Sequence, residues 1–353
     1  MRPLTLLLLI CTMTLASCRN NQPDDSEKIR TVVDTIGFTT YAWQMDSIVS
    51  RLDWSKGRDN TWRVAITPHD DYTYVGNLYP EVLNGVRAKI VVLFGVAHKA
   101  RSLGLEDRLI FDSHDAWSAP YGNVRVSDIR RDILERLPDS LYMVNDEMHA
   151  MEHSLEALIP FLQHNNRNIE IVPVLVPAMT FERMRLTAAP FAAALGEIMD
   201  GSHLEWGSDI AIVITTDAVH YGDEEWGGSN YAPYGTDEEG TAMARAHEME
   251  IIDSCLKGSL KPERLKRFVE YTVQGFDHRE YKWTWCGRYA VPFGLLMSHE
   301  LSKITGGEDL YGTFIGYASS IDHPRIKVDD LGMGITAPAY SHHWVGYAAL
   351  GFR

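Results

Sequence analysis

Four apolar, β-branched runs constrain this chain more than any other feature: residues 63–66 (RVAI), 89–95 (KIVVLFG), 169–176 (IEIVPVLV) and 209–216 (DIAIVITT). They are continuous rather than alternating, so both faces of each strand must be covered. Segments of helical spacing lie between them. In SLEALIPFLQ, Leu155, Leu158, Ile159 and Leu162 fall on one face, predicting a helix over 154–164 with Ser154 as its cap. Buried strands alternating with helices make a mostly parallel sheet flanked by helices, the α/β class. Ligands of such sheets bind beyond the carboxyl ends of the strands.

The residues just past each strand therefore carry the functional signal. After 63–66 come His69, Asp70 and Asp71; after 89–95 comes His98; after 209–216 come Asp217 and His220. One histidine in such a place is ordinarily a hydrogen-bonded polar residue. Three delivered to the same edge of one sheet read as the wall of a site. The segment EMHAMEHSLE adds His149 and His153, and Cys286 stands just ahead of a helix opened near Pro292. A thiol near a helix N-terminus ionises more readily, which suits a metal ligand or a nucleophile. Trp283, Trp285, Tyr72 and Tyr74 flank these positions, either lining a pocket or packing as core.

The beginning of the chain has a different character. Arg2 precedes an apolar core from Leu4 to Leu15, shorter than the roughly 20 residues a membrane span needs. LASC then puts Cys18 at the cleavage point of a bacterial lipoprotein-type signal. We expect residues 1–17 to be removed, Cys18 to carry lipid, residues 18–30 to form a tether, and 31–353 to form one domain. The protein is then extracytoplasmic and held to a bacterial membrane by acylation. A net charge of −15 excludes nucleic acid as a partner and offers no basic patch for anionic lipid. Of the four cysteines only Cys255 and Cys286 remain for the mature domain. In an oxidising compartment a pair is ordinarily bridged. Here Met249, Ile252 and Leu256 put Cys255 on a buried helical face, so we expect no bridge.

Taken in order, PHDDYTYVG, FGVAH, EHSLEALIPF, IVPVLV, TTDAVHYG, CGRYAVP and GYASS resemble the Memo family, also described as the B protein of the AmmeMemoRadiSam system. That family is similar in fold to the class III extradiol dioxygenases. The resemblance implies metal ligation by His69, His98 and Cys286. It implies pocket roles for Asp217, His220 and His153, to position substrate or move protons. Asp70 and Asp71 stand where the family usually has alanine and glycine, Tyr289 where it often has histidine, and residues 323–343 form an insertion. Two imidazoles and a thiolate accept iron(II), copper or zinc rather than magnesium or calcium. The implied function is a metal-dependent, dioxygenase-like redox enzyme acting on a small, possibly aromatic substrate. A non-catalytic metal- or ligand-binding lipoprotein and a metal-assisted hydrolase remain as alternatives.

Overall fold

In the computed structural model, residues 27–223 and 230–353 are described. Cys18 and the expected signal lie outside them. Among the described residues no helix is long and apolar enough to cross a membrane.

Among the described residues the four apolar runs form the middle of a thirteen-stranded sheet. They are β1 (Val64–Thr67), β2 (Ile90–Val96), β3 (Glu170–Val176) and β4 (Ile210–Thr215), followed later by β5 (Tyr311–Ser319) and β6 (His343–Phe352). Their order is β3-β2-β4-β1-β6-β5. The first four run parallel, and β6 lies antiparallel to both β1 and β5. Short strands extend the β3 side, ending with Ile29–Arg30 parallel to Ala116–Trp117.

The pleat divides the core in two. Ile66, Val92, Phe94 and Ile212 face one apolar cluster, which contains α1 (Phe181–Gly201) and α2 (Ala290–Ile304). Ala65, Val91, Leu93 and Val213 face the other, with Met45, Tyr79, Leu158 and Phe161. Gly294 lets α2 lie close against the sheet: a Cβ there would come within 2.6 Å of Ile214.

Two expectations need correction. The helix expected over 154–164 begins only at Ile159 and runs to Asn165, with turns before it. Pro160 explains this, because proline is tolerated in a first turn but in a helix interior it removes a hydrogen bond and clashes. The four apolar residues of the segment are buried as expected, but Ser154 does not cap: its hydroxyl donates to the Val96 carbonyl, 2.9 Å. The chain is also fixed before residue 30. Lys28 N donates to Asp115, and the buried Arg30 pairs with Glu156 at 2.6 Å. That carboxylate also accepts the main-chain N–H of Val33 and Asp34, fastening the N-terminal segment beside the site.

The expected insertion, residues 323–343, is built into the fold. Ile326, Val328, Leu331 and Met333 enter the second core cluster. Its main chain receives the hydroxyls of Thr73 and Tyr74, and the Thr336 N–H and hydroxyl both donate to Asp71.

Candidate metal centre

Strand register sets the site. Thr67 of β1 is level with Thr215 of β4, so His69 and Asp217, each two residues beyond its strand, emerge side by side. The His69 N–H donates to Asp217 Oδ1 at 3.0 Å. His69 Nε2 lies 3.5 Å from both Asp217 Oδ2 and Cys286 Sγ. Its Nδ1 is buried and has no hydrogen-bond partner. His98, two residues past β2, stands edge-on to His69 with ring centroids 5.4 Å apart. His153 stacks on His98 at 4.9 Å.

Cys286 is held by backbone geometry. Its Sγ accepts the Asp217 N–H at 3.0 Å. Gly287 comes next and donates to Thr216 Oγ1, and a Cβ there would lie 2.3 Å from that oxygen. Only glycine brings the thiol this close to the end of β4. Both Cys255 and Cys286 are free thiols, as expected.

These donors form two overlapping sets whose atoms lie within 4.8 Å of one another: His69, His98 and His153, and His69, Asp217 and Cys286. The expected triad takes members from both, with His69 shared. His98 and Cys286 also line one cavity of about 440 Å³. His220 is on the neighbouring strand His220–Gly222, paired with β6, and lines a smaller recess with Tyr231, Tyr281 and Thr284.

Burial drives most of the protonation behaviour. It holds His69 well below the ordinary histidine range, helped by His98. It pulls His220 down to about 3, again with His98 contributing. It pushes Asp217 well above the usual carboxylate range, reinforced by Asp70, and raises the Cys286 thiol, reinforced by Asp217. Burial also opposes a charged His98, but Glu152 and Cys286 outweigh it and raise that ring to about 10. In the metal-free pocket both acids therefore favour their protonated forms. A cation bound there would reverse those shifts, because thiolate and carboxylate ligands must lose protons to bind. A buried imidazole whose Nε2 stands beside sulfur and oxygen donors, with two further imidazoles next to its ring, fits a borderline transition metal.

Some site residues were not legible. Glu152 is buried, accepts His98 Nδ1 at 2.9 Å and His98 N at 2.8 Å, and so fixes that ring. Its position directly before His153 was the available signal. Glu248 is buried and receives the indole N–H groups of Trp283 and Trp285 and the Val219 N–H, tying together the segments that carry Cys286 and His220. Those tryptophans, with Tyr72 and Tyr74, are core rather than cavity wall; Tyr231, Tyr281 and Tyr289 line the cavity instead. His149 is a structural histidine, bonded through Nε2 to the Ile110 carbonyl. Asp70 and Asp71 stay out of both donor sets: Tyr347 donates to Asp70 at 2.6 Å, and Thr336 occupies Asp71.

The fold and pocket define an α/β protein with a histidine, carboxylate and thiol cluster at the carboxyl edge of its parallel strands. The family model described as Memo-like protein matches residues 40–331, and the chain belongs to that family. It is 26% identical over 289 residues to a MEMO1 family protein of Pyrococcus horikoshii, covering 75% of this chain and 88% of that one. A MEMO1 family protein of Aquifex aeolicus is 33% identical over 162 residues, 45% of this chain and 54% of its own length. One from Thermococcus kodakarensis is 23% identical over 317 residues, covering 84% and 89%.

Proposed function

We propose that this chain is a lipid-anchored Memo-family metalloprotein that binds one iron(II) or copper ion, with zinc the third choice, through His69, His98 and Cys286, and serves as a redox enzyme for a small aromatic substrate. The observation that carries the reading is the buried His69, whose Nε2 lies 3.5 Å from both the Cys286 thiol and the Asp217 carboxyl and which shares a second donor set with His98 and His153. A redox metal would supply one-electron chemistry and an affinity for oxygen. The chain's own residues supply the rest. Glu152 keeps His98 Nδ1 engaged, leaving its other nitrogen for the metal. Asp217 accepts the His69 main-chain N–H through its carboxyl and donates its own main-chain N–H to Cys286 Sγ, so it orients both ligands. His153, with its side chain 41% exposed, and His220 are the groups placed to exchange protons with substrate.

A second reading has one observation in its favour. Four donor side chains, His98, His153, Asp217 and Cys286, surround His69, and a closed ligand set is a feature of structural rather than catalytic metal sites. Oxygen uptake with catechol-like compounds by the metal-loaded protein supports the enzyme. Tight metal binding with neither oxygen uptake nor hydrolysis supports the binding protein, and hydrolysis without oxygen uptake supports metal-assisted hydrolysis.

A further inference from the structure

The cavity that contains His98 and Cys286 carries three arginines on its wall, Arg101, Arg279 and Arg288. Two of them are already neutralised: Arg101 pairs with Glu280 at 3.1 Å and Arg279 with Asp277 at 3.0 Å. Arg288 is different. It is only 8% exposed, and among the described residues it makes no ion pair; its Nη2 donates to the Arg279 carbonyl at 3.0 Å, while its Nε has no partner. A guanidinium stays charged at every physiological pH, and buried charges are ordinarily paired. This one is instead held flat, 3.4 Å from the Tyr281 ring centre and 4.5 Å from that of Tyr289. Cation–π contact compensates part of the desolvation. It also fixes the fork in position, with one Nη2 hydrogen taken by the Arg279 carbonyl.

We propose that Arg288 receives the carboxylate of a small aromatic acid whose ring lies in the cavity near His98 and Cys286. The ring's role rests on the metal-centre reading above; the anion site does not. The volume of about 440 Å³ suits a molecule of that size. Val96, Ala97, Val176 and Leu105 provide apolar wall, and Tyr231 adds a further aromatic side. Charge selects a monoanion. Arg288 is the one unpaired cation of the three, while Glu106 and Glu280 also face the space and oppose a phosphate dianion.

The test is equilibrium binding to metal-free protein under anaerobic conditions, with 4-hydroxybenzoate, its uncharged isostere 4-hydroxybenzamide, and phenyl phosphate. A fork-to-carboxylate contact gives the benzoate an advantage over the amide of at least about tenfold. Arg288→Met is expected to bring that ratio to about one, chiefly through loss of benzoate affinity, and Arg288→Lys to leave an intermediate ratio because lysine lacks the fork. Equal wild-type affinities, tighter binding of the phosphate, no measurable binding of the benzoate, or a ratio that survives in Arg288→Met each overturn the proposal. The wild-type comparison decides even if the variants fold poorly. Oxygen uptake by metal-loaded protein is read separately: its absence with the benzoate preference intact removes the redox reading and keeps the anion site, and uptake indifferent to ring charge does the reverse.

Discussion

Replacing Glu152 with glutamine is expected to weaken metal binding while every proposed ligand stays in place. The Glu152 carboxylate serves four donors. Oε1 takes His98 Nδ1 and the main-chain N–H groups of His153 and Ser154, each at 2.9 Å, and Oε2 takes the His98 N–H at 2.8 Å. Glutamine keeps one acceptor oxygen and converts the other into an NH2 donor. The amide will keep its oxygen toward the three contacts and set its NH2 against the His98 N–H, two donors face to face in a buried place. An unsatisfied buried donor costs about 1–3 kcal/mol, and the metal-free variant should melt a few degrees lower. Loss of the charged partner on His98 should weaken metal affinity about 10–100-fold, or roughly 1.4–2.7 kcal/mol. Burial raises the Glu152 carboxyl, but His98 outweighs it and holds the group below the carboxylate range. Its folded pKa is thus depressed, and its stabilisation is present above the unfolded value of about 4.3 and lost as pH falls below it. The variant should therefore have a shallower acid limb in a plot of stability against pH. Competition with a chromophoric chelator measures the affinity, and thermal unfolding measures the stability. A Glu152→Gln protein with lowered stability but wild-type metal affinity would refute the view that this carboxylate sets His98 for ligation.

Three further outcomes are expected. Cys286→Ser should weaken metal binding far more than Cys255→Ser, since only Cys286 faces His69; equal losses in chelator competition would remove the thiol from the metal shell. Burial raises Glu248 to about 7 despite the indole donors, so its stabilisation is complete below about 4.5 and lost as pH rises through 7. Denaturant titrations of metal-free protein at pH 5 and 8 should differ by on the order of 3 kcal/mol from this group, and Glu248→Gln should shrink the difference; an unchanged pH response would exclude it as the source. Cys18→Ala should shift the protein out of the membrane fraction or block its processing, and unchanged fractionation with unchanged mature mass would end the lipid-anchor reading.

Much of this architecture is legible because its signals are local. Continuous apolar runs identified β1 to β4, and the residues just past them identified His69, His98 and Asp217, since a parallel register carries equivalent positions to one edge. What was not legible depends on contacts distant in sequence. Nothing around Glu152 or Glu248 says that either carboxylate is buried among donors. Arg30 reads as part of a polar tether until its pairing with Glu156, 126 residues away, is known. Asp70 and Asp71 look like added site charge. Tyr347 and Thr336, each more than 260 positions later, take them up instead. Arg288 sits in plain view two residues after Cys286, but its lack of a counter-ion among the described residues is a property of the folded cavity alone.

The most direct test of the central claim is the metal content of protein purified without added metal, measured elementally beside His69→Ala. His69 belongs to both donor sets, so its loss should disable either arrangement while the sheet, whose strands end before it, stays folded. About one iron or copper per wild-type chain and almost none in the folded variant is the expected result. Wild-type protein that neither retains nor takes up a transition metal, or a His69→Ala variant with full stoichiometry, would contradict the account.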